Sequence, residues 1–301
     1  MRVCVGICTF QRDSLTTTLE SVSNQKLPQG VKLSVVVADN DVEAVLSQDL
    51  ARLARQLELE LTYIHAPARN ISISRNACLE NASGGYLAFI DDDEIAEPNW
   101  IARLLDAARS TGAGVVFGPA DAVYPASAPA WIRENDFHSN HPTTRDGVVE
   151  TGYSSNALLD LRDPKVSETR FDLSFGRTGG EDIDFFFRLH QKGVRMVIAD
   201  EARVREPVDP QRLSLKWLLR RKFAAGKIYG HCATASRSAR QVPLRLRSAA
   251  KALYCGIRAV PSAPSRTRLA FWVMRSSFHF GVFFGTLSPP QREAYGVDTL
   301  K

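Results

Sequence analysis

From residue 210 onward the chain carries only two acids, Glu293 and Asp298, against 17 lysines and arginines. That near-absence gives the segment a net charge of +15 and leaves residues 1–209 at −10. An acidic body with a basic extension follows, and the extension is expected to face something anionic. Cysteine is also scarce. The five residues, Cys4, Cys8, Cys78, Cys232 and Cys255, form no C-x-x-C pair, and an odd count argues against a disulfide framework. Cys4 and Cys8 share a strand face but lie too far apart along it to bridge, so the cysteines read as small buried apolar residues in a reducing compartment. No G-x-G-x-x-G follows the first apolar run, which argues against the usual dinucleotide site. The start, MRVCVGICTF, lacks a signal-peptide pattern, and no internal repeat is present. The apolar segment 269–287 is broken centrally by Arg275 and His279, so it is expected to lie at an interface or on a core rather than to span a bilayer.

What remains is ordinary globular composition, 44% hydrophobic and 24% charged over 301 residues, enough for one large domain or two smaller ones. Apolar runs at RVCVGICT (2–9), LSVVVA (33–38), LTYIH (61–65) and YLAFI (86–90) alternate with helical patterns at 14–25, 44–59 and 72–82. Strand, helix, strand in succession predicts a parallel sheet covered on both faces. The near-continuous apolar character of each strand agrees with burial on both sides. Further strands are expected near 114–117, 155–161 and 195–199, and a glycine-led helix at GGEDIDFFFRLHQKG (179–193). Polar residues gather just after the strands, at 9–12, 39–41 and 91–94, and in open α/β sheets ligands bind at that carboxyl edge.

Four consecutive acids, Asp91 to Glu94, end the YLAFI strand. Each like-charge pair at about 5 Å costs about 3 kcal/mol in an effective dielectric near 20. A divalent cation would remove that repulsion. Asp91 and Asp93 have the D-x-D spacing that points two carboxylates the same way off a strand end. Hard oxygen donors suit Mg²⁺ or Mn²⁺, which take further ligands from water and phosphates. A helix cap near Glu97-Pro98-Asn99 is the competing explanation. Glu181 and Asp182, after Gly179-Gly180, either satisfy a helix N-terminus or supply a general base.

The stretch ISISRNACLENASGGYLAFIDDDEIAEPNWI, with VGICTFQR, VVVADND, GYSSNALL and GGEDIDFFFRL in order around it, resembles the inverting GT-A glycosyltransferases of family two. Within that family it is most similar to bacterial enzymes of the succinoglycan and exopolysaccharide glucosyltransferase type, with Glu206 to Gly226 adding to the match. The resemblance implies a GT-A nucleotide-diphospho-sugar transferase fold over residues 1–209, with a mostly parallel central sheet and helices on both faces. A basic, amphipathic helical extension, 210–301, completes the chain. It further implies that Thr9, Phe10 and Arg12 line a nucleotide pocket, that Asp39 bonds the uracil edge, and that Arg75 approaches the nucleotide or its phosphates. Asp91, Asp92 and Asp93 would serve ribose and metal, with Asp93 and Asp91 as ligands to Mn²⁺ or Mg²⁺. Asp182 would be the base, with Glu181 as the alternative. Many relatives carry a His near the metal where this chain has Glu206.

Basic residues alternate with Leu, Trp and Phe in QRLSLKWLLRRKFAAG (211–226), and the pattern returns over 244–260. Such helices suit the plane of an anionic membrane. The expected partners are therefore a nucleotide-sugar donor, a lipid-linked or saccharide acceptor and the inner face of the plasma membrane, for a cytoplasmic enzyme held peripherally. No nucleic-acid module is visible. Two other classes stay open: a nucleotidyltransferase on a related fold, which would need a glycine-rich phosphate loop that GICTFQR lacks, and a membrane-docked scaffold that binds nucleotide sugar without turnover. Trp131 could stack on a sugar or pack in its loop. His138 and His141 lack the partner spacing of metal ligands.

Overall fold

The apolar runs form the middle of a sheet. In the computed structural model, which describes residues 1–11, 13–235 and 241–287, β1 (Arg2–Thr9) leads to α1 (Leu15–Ser23), β2 (Lys32–Asp39), α2 (Ser47–Gln56), β3 (Leu61–His65), α3 (Ile71–Asn81) and β4 (Tyr86–Ile90). Then come β5 (Ile95–Ala96), α4 (Trp100–Thr111), β6 (Val115–Phe117), β7 (Ala120–Val123), α5 (Ala130–Arg133), β8 (Asn156–Asp160) and α6 (Pro164–Ser167). The chain continues through α7 (Glu181–Gln191), β9 (Met196–Ile198), β10 (Val204–Pro207), α8 (Leu215–Ala235), α9 (Gln241–Ala259) and α10 (Arg266–Gly285). Seven strands pair in the order β3-β2-β1-β4-β8-β6-β9, and β5-β10-β7 form a small second sheet. Every pairing in the large sheet is parallel except those of β8, which runs antiparallel to both neighbours.

Period-two geometry explains why the strands read as unbroken apolar runs. Val3, Val5 and Ile7 of β1 enter one core with Leu19, Val35 and Leu104, while Cys4 enters the other with Val36, Leu87 and Phe89. Both faces are thus covered. Each fully buried aliphatic or aromatic side chain here contributes about 1.5–3 kcal/mol relative to exposure. Cys8 packs on the same core as Cys4, as the strand period requires.

Contacts divide the described chain into two compact units: Met1–Asp121 with Asn140–Glu206, and Ala122–Ser139 with the helices from Pro207 onward. In the helical unit, α8 and α10 touch backbone to backbone. A Cβ on Gly226 would sit 2.0 Å from the Phe278 carbonyl oxygen, and one on Gly285 would sit 2.0 Å from that of Lys227. Gly230 and Gly281 are equally constrained, by Val282 and Phe223. Two glycine pairs four residues apart therefore face each other, the spacing that lets helices approach most closely. α9 joins α10 through polar contacts: Ser276 Oγ donates to the Ala252 carbonyl (2.9 Å) and Arg245 Nη2 to that of Thr286 (3.1 Å). Among the described residues, no helix is long and apolar enough to cross a membrane.

Candidate functional site

Strand register builds the site. β1 pairs with β2 so that Thr9 lies opposite Asp39, and β2 with β3 so that Asp39 lies opposite His65. β1 also pairs with β4 in a register that sets Gly6 opposite Phe89. Continued three residues past the pairing, that register brings Thr9 to Asp92, and Thr9 Oγ1 donates to Asp92 Oδ2 at 2.7 Å. Asp39, Thr9 and Asp92 therefore form one buried polar row across the carboxyl ends of three adjacent strands. Most buried polar groups are hydrogen-bonded. Asp39 meets this by accepting from the Tyr63 hydroxyl (2.8 Å) and from the Asp41 backbone N–H (2.9 Å). Burial, with the Asp39 carboxylate beside it, pushes the Tyr63 hydroxyl well above its ordinary range.

The loops after the strands are tied to one another. Gln11, in a left-handed conformation (φ 51°), donates to Asp41 Oδ1 at 3.1 Å. Asn40 Oδ1 accepts from the Asn70 backbone N–H (3.2 Å), and Asn70 caps α3 by accepting from Ser72 N and Ile73 N. The Arg69 guanidinium lies 5.9 Å from the centre of the Phe10 ring. Arg12 lies outside the described residues.

The acid run divides by burial. Asp92 and Glu94 are buried, whereas Asp91 and Asp93 are partly exposed. Glu94 serves the fold: its Oε2 accepts from the Asp91 N–H (3.0 Å), and its carbonyl accepts from Thr18 Oγ1 (2.8 Å). Burial, then the charge of Asp91, pushes the Glu94 carboxyl well up. Asp91 keeps 46% of its side chain open. Even so, desolvation pushes its carboxyl up to about 7, with Arg75 pulling down and Asp93, Asp92 and Glu206 pushing up.

Arg75 is a buried cation at this edge. Its guanidinium is 9% exposed, pairs with the Glu181 carboxylate, and reaches 4.0 Å from Asp91 Oδ1. Desolvation works against its charge, but Glu181, Asp182 and Asp91 together raise its pKa further. Burial pushes the Glu181 carboxyl up, and its Oε2 is buried without a hydrogen-bond partner. Gly179 and Gly180 (φ 79° and 95°) turn the chain into α7, which sets Glu181 inward and the adjacent Asp182 partly exposed. Asp182 Oδ1 accepts from the Ile183 N–H at 2.8 Å. The structure thus joins Thr9 to Asp92, and Arg75 to both Glu181 and Asp91. Sequence reasoning missed Tyr63, the structural role of Glu94 and the Arg75–Glu181 pair.

The donor set can be tested against a divalent cation. Asp91 and Asp93 offer hard oxygens on partly exposed side chains, and the cation beside Asp91, Arg75 at 4.0 Å, is already paired with Glu181. Among the described residues, no three acid, histidine or cysteine side chains converge to hold an ion alone. Two carboxylates fit an Mg²⁺ or Mn²⁺ ion that takes its other ligands from water and phosphate oxygens. His141 Nε2 pairs instead with Asp121 (2.8 Å), and His138 stacks on Trp217 with ring centres 5.4 Å apart.

The family model of glycosyl transferase family 2 matches residues 4–161. The chain is 40% identical over 298 residues to the succinoglycan biosynthesis protein ExoM of Rhizobium meliloti, covering 99% of this chain and 96% of that one. It is 28% identical over 247 residues to a glucosyl-dolichyl phosphate glucuronosyltransferase of Haloferax volcanii, covering 75% of each. Among solved structures it resembles S. aureus TarS 1–349 in complex with UDP-GlcNAc, with a TM-score of 0.54 at 13% identity over 92% of this chain and 91% of that one. At that identity the likeness shows the fold alone.

Proposed function

Because this chain belongs to glycosyl transferase family 2 and is a glycosyltransferase with a GT-A-like sheet, we propose that it moves a hexosyl group from a UDP-sugar to an acceptor hydroxyl with inversion. The acceptor is lipid-linked or a saccharide, in exopolysaccharide or cell-surface glycan synthesis. The observation that carries this reading is the Asp39–Thr9–Asp92 row, with the Asp91–Asp93 pair at its end and Asp182 beyond. The similarity to a succinoglycan biosynthesis protein supports the exopolysaccharide product, and the UDP-GlcNAc bound by TarS supports the donor.

The residues divide the work. Asp39, held by Tyr63, presents its carboxylate to the base edge, and Thr9 and Phe10 line the nucleotide pocket with Arg12. Asp92, fixed by Thr9, serves the ribose. Asp91 and Asp93 would hold Mn²⁺ or Mg²⁺, which when bound stabilises charge on the departing diphosphate. Arg75 braces Asp91 from behind while paired to Glu181. Asp182 uses Oδ2 to take the proton of the attacking hydroxyl, since Oδ1 is engaged by Ile183. Residues 1–209 carry the chemistry, and 210–301 meet the anionic cytoplasmic face of the membrane, as their charge supports.

The test compares Asp93→Ala with Asp182→Asn on a UDP-sugar panel with Mn²⁺. Both are expected to abolish transfer, and only Asp93→Ala to weaken metal-dependent UDP binding. Transfer at the wild-type rate by either variant removes the role given to that residue.

A further inference from the structure

α9 presents an apolar stripe to solvent. Val242, Leu246, Leu253, Ile257 and, just past its end, Val260 are each between 60% and 75% exposed. Their spacing of four, seven, four and three residues keeps them on one helical face. At 1.5 Å per residue the line runs for about 27 Å. Gly256 and Ala259, each next to a stripe residue, wall an open groove of about 530 Å³ whose other sides include Phe223 of α8 and Phe280 and Phe284 of α10. Those three rings are 37%, 47% and 45% exposed. The helical unit thus carries two exposed apolar features, the stripe and the groove, of the kind that mark an interaction site.

Charge says what covers it. Residues 210–292 contain no aspartate or glutamate, and α9 itself carries Arg245, Arg247, Lys251 and Arg258. By helical geometry Arg247, Lys251 and Arg258 fall more than a quarter turn away from the stripe. A second copy of this face would bring cations against cations with no acid to meet them. A leaflet of anionic phospholipid matches both halves of the pattern, with acyl chains for the stripe and headgroups for the flanking bases. We infer that the outer face of α9, with the adjoining groove, is an in-plane insertion surface for an anionic phospholipid leaflet. This rests on the reading that the helical unit meets such a membrane. It adds that apolar burial along α9, beyond charge, holds the protein there.

The experiment floats the full chain with phosphatidylcholine vesicles, with and without phosphatidylglycerol, at low salt and at about 1 M salt, where screening falls to about 3 Å. Leu253→Asn with Ile257→Asn removes apolar surface and leaves the charge untouched. This double variant is expected to lower partitioning at least about tenfold, while Leu253→Met with Ile257→Leu retains it. Circular dichroism verifies that α9 is still formed. Equal binding by the Asn variant overturns the inference and leaves the membrane reading standing. If wild-type protein transfers sugar to a soluble saccharide yet floats with neither vesicle, the membrane reading fails and takes this inference with it. If light scattering shows a dimer that the Asn variant splits, the surface belongs to a second copy and the inference is overturned.

Discussion

Glu181→Gln separates a structural carboxylate from a reacting one. The wild-type pair places Glu181, 7% exposed, against Arg75, 9% exposed, far from bulk water. Breaking a buried pair on one side costs about 3–5 kcal/mol, because the remaining charge is left uncompensated. Glutamine keeps the volume and can still accept one hydrogen bond. Asp91, 4.0 Å from Arg75, is the remaining counter-charge, but it is 46% exposed and therefore screened. The expected loss is about 3 kcal/mol, at the low end of that range. For a unit of this size it appears as a fall in Tm of about 6–12 °C. Calorimetry on the full chain, with guanidinium titration as a check, reads it. The double change Arg75→Met with Glu181→Met removes both charges and is expected to recover to within about 1 kcal/mol of wild type, since apolar replacement of a buried pair is near neutral. A loss under about 1 kcal/mol for Glu181→Gln, or single losses that simply add in the double variant, would refute the argument.

Tyr63→Phe removes the hydroxyl that donates to Asp39 and is expected to weaken UDP binding about fivefold, read by calorimetric titration; unchanged affinity would detach Tyr63 from the base edge. His279 is pushed down to about 4 by burial, with Lys251 and Arg275 adding positive potential. Above about pH 6.5 neither state holds the proton; below it the unfolded chain takes up a proton that the native helix refuses. Stability is therefore expected to fall between about pH 6.5 and 4, and His279→Asn to flatten that slope in thermal melts. Gly281→Val places carbons where the Phe223 carbonyl already stands and is expected to destabilise by about 1–3 kcal/mol, after at most about 1 kcal/mol of gain in helix propensity. A melt equal to wild type would show that α8 and α10 can separate at no cost.

Much of the sheet was legible because its central strands are buried on both faces. YLAFI matches the fully buried β4 residue for residue, and LTYIH matches the partly exposed edge strand β3. The reversed direction of β8 was not legible, since side-chain pattern carries no strand polarity. β5, β7 and β10 have two to four residues each, too short to display a period of two. The polar row followed from strand ends, but its hydrogen bonds depend on register, which only pairing reveals. Arg75 left a signal: Ile71, Arg75, Cys78 and Leu79 fall on one buried face of α3, so a charge there had to find a partner. That partner, 106 residues away, was not readable from local sequence. The two G-x-x-x-G spacings are visible in the chain, although nothing local says that they face each other.

The matched glycines of α8 and α10 give the pair a mechanical character. Backbone atoms of each helix, mostly carbonyl oxygens, sit in the hollows left by the missing side chains of the other. Main-chain atoms therefore set the spacing of the two axes, and a side chain added at any of these four positions would have to push the helices apart.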